Sequence, residues 1–397
     1  MTERQRSSGL FGAMFLMATS AIGPGFITQT TQFTAQLGAA FAFAILVSVL
    51  IDVALQLNVW RVIGVSGLRA QELGNRVLPG AGHVLTVCVV IGGFVFNVGN
   101  VAGAGLGLDA MLGLDPKWGG ALSALVAVGV FVSRRAGVAM DRIVIVLGFV
   151  MIAMTGYVAV ISQPPVGLAL RNAVWPDEVD FLSITTLIGG TVGGYITYAG
   201  AHRLLDTGVH GPARVAEIAR ASVIGVIVTG VMRVLLFLAV LGVVAAGVRL
   251  DPANPAASAF SAAAGEVGLR IFGLVLWAAS ITSVIGASYT SVSFLVGSGA
   301  HLDRTRNLAV VCFIAASSVV YLFVGAAPVP LLIFAGAFNG LILPVGVAAM
   351  LWVALQRADL LGGYEYPRTL AVAGVAAWLV TLYLGWASLT RLAQIFA

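Results

Sequence analysis

The stretch SAIGPGFITQTT, residues 20–31, lies in the middle of a long apolar run. In a water-soluble chain Gly-Pro-Gly marks a turn. Inside a bilayer it needs a cause, because backbone groups released from a helix must find partners within the protein or in a wet cavity. The surroundings are membrane-like. Of 397 residues, 59% are hydrophobic and only 9% are charged, and the mean hydropathy is +1.02. A soluble domain carries about a quarter charged residues, so the composition excludes one and points to an all-α, polytopic membrane protein.

At about 20 apolar residues per crossing, the chain divides into eleven expected spans: 9–34, 37–60, 82–108, 118–133, 142–162, 182–202, 219–247, 267–296, 308–325, 329–355 and 369–389. One side of the membrane then receives Arg4, Arg6, Arg61, Arg69, Arg76, Arg134, Arg135, Arg142, Arg203, Arg214, Arg220, Arg304, Arg306, Arg357 and Arg368. The other receives only Lys117, Arg171, Arg249, Arg270 and Arg391. Positive charge marks the cytoplasmic side, so the expected placement is multi-pass in the plasma (inner) membrane, N-terminus cytoplasmic and C-terminus outside. The run after Arg4 and Arg6 continues through the Gly-Pro-Gly, which reads as a first span rather than a signal peptide.

The sixth span repeats the oddity of the first. It reads ITTLIGGTVGGYITYAG, 184–200, with glycines at 189, 190, 193 and 194. Interrupted helices at matching positions of two halves point to a transporter's substrate site. Spans one and six are five apart, so the expected layout is a single transport domain, 1–397. Its first inverted repeat is 1–162, its second 182–355, and an extra helix covers 369–389. Unwinding presents carbonyls and N–H groups to a central cavity. The glycines of GNVAGAGLG, 99–107, read as close helix packing; no strand precedes them, so they are no dinucleotide fingerprint.

These features resemble the Nramp divalent-metal transporters, which share the LeuT-type fold of the amino acid–polyamine–organocation superfamily. GPGF, 23–26, falls where that family has DPGN, and TAQLGAAFAFAILVSVLIDVALQLNVWRVIGVSG, 34–67, keeps its spacing. GGTVGGYI, 189–196, falls where the family has G-x-T-V-M-P-H-N. SITSVIGASYTSVSFLVG, 280–297, is similar to the stretch after its eighth span. The resemblance implies a five-plus-five inverted repeat with helices one and six broken, plus the additional C-terminal helix.

The departures fall on the metal ligands. The family's Asp, Asn and Met positions carry Gly23, Phe26 and Gly193, its histidine is Tyr195, and two acidic positions tied to proton movement are Asn97 and Asn100. Carboxylate and thioether are the donors that hold transition metals. Neutral groups leave a dehydrated divalent ion uncompensated in a low dielectric. Two substrates stay open. A small organic solute of carboxylate type, resting on half-helix N-termini, is favoured on physical grounds; hydrated Mg²⁺ is favoured by the resemblance. Residues expected to bind are Gly23, Pro24, Gly25, Phe26, Thr30, Thr191, Gly193, Gly194, Tyr195, Asn97, Asn100 and Asn339, with Thr28 and Thr31 nearby. Asn97 and Asn100, three apart, are both expected to face the cavity.

Asp52 in SVLIDVALQ and Arg233 in TGVMRVLLF are the charges deep in expected spans, and such charges are usually paired. They lie 15 and 14 residues from outer span ends at 37 and 247, at matching depth for a rise of about 1.5 Å per residue. The expectation is a salt bridge, serving either helix register or coupling. Span eight is rich in hydroxyls; Ser280 and Ser283 are candidate Na⁺ ligands, though such groups also bond back to their own helix. H⁺ and Na⁺ are the candidate coupling ions, with Asp52 the leading proton carrier. No organic cofactor, nucleic acid or obligate protein partner is indicated, and partners reduce to substrate and lipid.

Cys88 and Cys312 sit in apolar runs without CxxC spacing. His83, His202, His210 and His301 fall at span ends or in loops, and His202 and His210 read as solvated. An intramembrane enzyme needs a nucleophile–base pair or paired carboxylates, which this inventory lacks. A non-transporting receptor remains as a further alternative.

Overall fold

The computed structural model describes residues 21–296, 303–324 and 327–392. The first half of span one, with Arg4 and Arg6, and also His301 lie outside the described residues. Every regular element described is helical. In chain order they are α1 (Pro24–Leu37), a 3₁₀ turn (Gly38–Ala40), α2 (Phe41–Ser66), α3 (Ala70–Val77), α4 (Ala81–Leu112), α5 (Pro116–Val132), α6 (Arg134–Ile161) and α7 (Val166–Val174). There follow α8 (Phe181–Thr191), α9 (Ile196–Asp206), α10 (Val215–Ala245), α11 (Pro255–Leu295), α12 (Asp303–Val324), α13 (Pro328–Gln356) and α14 (Arg368–Leu392).

Local chemistry sets the helix starts. Proline occupies the first turn of α1, α5, α11 and α13, where its missing N–H costs nothing. Asp115, Asp180 and Asn254 cap α5, α8 and α11, accepting hydrogen bonds from the first-turn N–H groups of Trp118, Ser183 and Ala257.

Seven stretches are long and apolar enough to cross a bilayer, and α6 with α7, bent by 105° at their junction, makes an eighth. The expected eleven is not reached on length and apolarity, for identifiable reasons. Helices α1 and α2 run together through the 3₁₀ turn, α5 has 17 residues, and the sixth expected span is divided into two helices of 11 residues each. Two expected loops also contain helix: α3 on one side, and α7 on the other. Helix α11 begins well before the expected 267 and carries an interior break at Gly265.

A large apolar core joins α1, α2, α8, α9, α10 and α13. A smaller one joins α4, α5, α11 and α12. The outer surface carries exposed Leu50, Phe149, Phe323 and Trp386, as lipid contact requires. Between the cores, α4 packs along α11 and α1 on its glycine stripe. A Cβ at Gly107 would lie 2.6 Å from the Trp277 main-chain nitrogen, and one at Gly103 would fall on the Pro24 ring. GNVAGAGLG is therefore a packing surface that fixes where the first break sits.

Candidate functional site

At the first break, Ala21 is helical, Ile22 and Gly23 are not, and α1 starts at Pro24. Gly23 is extended, and a Cβ there would stand 2.8 Å from Ser283 Oγ and 3.8 Å from Asn100 Oδ1. The break thus faces α11 and α4. At the second, α8 ends at Thr191 and α9 begins at Ile196. Gly194 has φ +55°, and its Cβ would fall on Asn339 Oδ1, so glycine is required both for conformation and for space. Gly193 folds back on its own helix, with its Cβ position 2.5 Å from Gly189 O.

The two breaks meet through side chains. Tyr195 lies edge-on to Phe96 with centroids 5.8 Å apart, and Asn100, whose Oδ1 faces Gly23, leaves its Nδ2 without a hydrogen-bond partner. On the other flank Arg233, from α10, places its guanidinium carbon 4.4 Å from the centroid of the Phe26 ring. Its Nη2 donates to Thr191 Oγ1 at 3.1 Å. Gly25 lies near Gln29 and Phe96. All of these side chains are buried.

Several expected roles change. Asn97 does not line the site: its Nδ2 donates to Ser288 Oγ (3.0 Å) and Ser317 Oγ (2.7 Å), facing α11 and α12. Three residues on a helix of 3.6 per turn leave an offset of about 60°, which suffices to turn Asn97 away while Asn100 faces inward. Ser280 donates to Leu276 O at 2.7 Å, while Ser283 Oγ is buried without a partner at Gly23, so only the second hydroxyl addresses the break. Thr30 and Thr31 donate to Phe26 O and Ile27 O in their own helix, and Thr28 is buried. Asn339 gives both donors to main-chain carbonyls, Gly92 O at 3.0 Å and Ala335 O at 2.8 Å, and wedges α4 against the second break.

The Asp52–Arg233 pair is also corrected. Both are buried, but no direct ion pair forms between them; Arg233 donates instead to Thr191. The threonine hydroxyl accepts from Arg233 Nη2 and gives its own proton to Leu187 O, 2.8 Å away. The helices that carry the two charges, α2 and α10, pack directly on each other. Asp52 Oδ1 and Arg233 Nη1 are left without hydrogen-bond partners.

Gln29 escapes a sequence reading. It is fully buried, its Nε2 donates to Leu332 O at 2.8 Å, and its Oε1 has no partner. Cβ atoms at Gly190 and Gly336 would both strike it, so one amide joins α1, α8 and α13. An amide in mid-span is itself a signal, hidden here among threonines. Among the described residues, no three His, Cys, Asp or Glu side chains gather as metal ligands.

The profile of the natural resistance-associated macrophage protein-like family, Nramp, matches residues 14–391. The chain belongs to the Nramp family. Nramp proteins are transporters, so its cargo is a small ion or solute and its setting a membrane. It is 48% identical over 389 residues to the membrane protein YcsG of Bacillus subtilis, covering 98% of this chain and 96% of that one. To a membrane protein of Haemophilus influenzae it is 49% identical over 377 residues, covering 95% and 94%. A manganese transporter of Eremococcus coleocola superposes with TM-score 0.73 at 16% identity, over 99% of this chain and 88% of that one. MhsT in complex with L-phenylalanine superposes with TM-score 0.62 at 15% identity, over 97% of each. The fold of this Nramp chain is thus LeuT-type.

At the far end of α9 the Nramp chain is latched to α3. Arg69 Nη2 and Asp206 Oδ1 lie 2.7 Å apart, and Ala70 N donates to His202 Nε2 at 3.2 Å. His202 is buried, contrary to its expected solvated place, because Tyr198 and Phe294 rings cover it. The two ties differ in worth. The Arg69→Ala change removes a partly exposed ion pair and is expected to cost under about 1 kcal/mol. His202→Leu leaves the buried Ala70 N–H without an acceptor, an expected loss of about 1–3 kcal/mol. Denaturant titration of the purified variants in mixed micelles orders them; equal losses contradict the burial argument.

Proposed function

We propose that this Nramp protein is a secondary active transporter that carries a small organic solute of carboxylate type by alternating access, with the solute held between the two breaks. The observation that carries the reading is the charge at the breaks. Among the described residues, one carboxylate and one guanidinium offset each other, every other polar group there is an amide, a hydroxyl or main chain, and no three His, Cys, Asp or Glu side chains gather. A dehydrated divalent cation would meet no net negative charge and a guanidinium close by, which costs several kcal/mol or more in a low dielectric. An organic anion gains from the same arrangement, since half-helix N-termini and the guanidinium attract it.

Family membership supports the second reading, a divalent cation. The donor set then favours Mg²⁺ held through its own waters by carbonyls and hydroxyls, since Mg²⁺ sheds water reluctantly. The protein has no enzymatic role in either case. The basic-residue asymmetry supports an N-terminus in the cytoplasm and a C-terminus outside, in the inner membrane. H⁺ or Na⁺ is the coupling ion, with Asp52 and Ser283 the respective groups that would sense it.

Uptake into proteoliposomes under imposed H⁺ or Na⁺ gradients tests this, with Mn²⁺, Mg²⁺ and small organic acids as substrates. Gradient-driven accumulation of an acid without Mn²⁺ accumulation is the expected result. Rapid Mn²⁺ uptake abolished by Thr30→Val contradicts it, and saturable binding without flux marks a receptor.

A further inference from the structure

Arg233 is a buried cation beside both breaks whose hydrogen bonding the packing leaves unfinished. It is only 2% exposed, and α10 carries its head to the place where both breaks end. Phe26, two residues beyond the α1 start, lies under one face of the guanidinium at 4.4 Å. Thr191, the last residue of α8, takes a hydrogen bond from Nη2. These contacts fix the plane of the head. Nη1 remains without any partner although it is buried.

The carboxylate nearby does not complete the site. Asp52 forms no direct ion pair with Arg233, and its Oδ1 is equally without a hydrogen-bond partner. A buried guanidinium normally pairs directly with an anion, often through two parallel N–H···O bonds. Here the internal anion offsets the charge at a distance and leaves the fork open. A planar fork with a free donor, held between a ring and a hydroxyl, matches a carboxylate in shape and charge better than an ammonium would.

We propose that Arg233 anchors the carboxylate of the transported solute, with Phe26 and Thr191 orienting its guanidinium and Asp52 acting as the resident counter-ion. The assignment rests on the organic-carboxylate reading and adds the residue that enforces it. Because Phe26 belongs to the first broken helix and Thr191 to the second, a carboxylate bound at Arg233 lies beside both breaks at once. Neutral isosteres of the solute, such as its methyl amide, lose the anchor and are rejected.

The test uses the full chain in proteoliposomes with radiolabelled acetate, lactate, pyruvate, succinate and benzoate, each competed by its methyl ester or amide. Wild type is expected to accumulate at least one acid, with the neutral analogue competing at least tenfold more weakly. Arg233→Lys keeps the charge but not the fork, and its KM is expected to rise about tenfold; Arg233→Gln is expected to lose uptake. The double variant D52N/R233Q removes both charges and so restores packing. If Arg233 only fixed helix register, this variant would recover transport; as an anchor lost, it does not. Acid uptake with wild-type KM in R233Q or in D52N/R233Q overturns the anchor and leaves the carboxylate reading standing. A wild type that takes up none of the acids, or that accumulates Mn²⁺ or Mg²⁺ instead, overturns the carboxylate reading and the anchor with it.

Discussion

Replacing Asp52 by leucine is expected to lower the unfolding free energy by about 3–5 kcal/mol, the cost of leaving a buried charge without its partner. Asp52 is 1% exposed and Arg233 2%, and among the described residues no other side chain brings a compensating anion to the guanidinium. The loss therefore resides in Arg233 rather than in contacts made by the carboxylate. The same logic makes the double replacement informative. In a chain carrying both Asp52→Leu and Arg233→Met, no charge is left to solvate and the interior is apolar, so most of the stability should return. Buried ion pairs exchanged whole for apolar groups of similar volume are often neutral or stabilising. Unfolding by titration with sodium dodecyl sulfate in mixed micelles measures all three variants. A D52L chain as stable as wild type would mean that Arg233 is hydrated or paired elsewhere. A double variant no more stable than D52L would mean that the pair contributes through geometry rather than charge.

Much of the architecture is legible in the sequence because the signals are coarse. Charge scarcity and apolar length define an all-helical membrane chain, and Gly-Pro-Gly at 23–25 and the glycine pairs around Thr191 mark where helices stop. Breaks are legible because glycine and proline act on their own backbone. Side-chain direction is not, since it depends on which neighbour a helix face meets. Asn97 and Asn100 look equivalent in sequence, yet one faces α11 and α12 and the other the breaks. Span geometry sets Asp52 level with Arg233, but that Arg233 donates to Thr191 rather than to the carboxylate belongs to the tertiary arrangement. Gln29 and His202 are the same lesson from the other side: an amide among threonines and a histidine at a span end are both buried, with Leu332 and Phe294, far away in the chain, among the residues that meet them. The span count suffers for a related reason, as half-helices of 11 residues are too short to announce themselves by hydropathy.

Adding one methyl group at Gly189 is expected to abolish transport and to destabilise the protein by about 1–3 kcal/mol or more, the range for overpacking a close contact. Helices α8 and α13 cross there with their backbones touching. A Cβ at Gly189 would fall on Gly336 O and lie against Gly340 N, both main-chain atoms that cannot rotate aside. One at Gly336 would stand 2.9 Å from Thr186 O. Close approach of this kind is how helices associate in a bilayer, where burial of apolar surface supplies little drive. The contact also positions chemistry. Gly190, next in sequence, packs on Gln29, and Thr191, next again, holds Arg233. Pushing α8 away from α13 by the width of a methyl group would move the hydroxyl that orients the guanidinium. Gly286→Ala provides the control, because a Cβ there meets nothing within 4 Å and a helical Gly→Ala change in open space gains about 0.5–1 kcal/mol. Detergent unfolding and uptake rates measured side by side decide the matter: a G189A chain as stable and as active as G286A would show that the two helices separate freely, and that the second break is not held in place by this crossing.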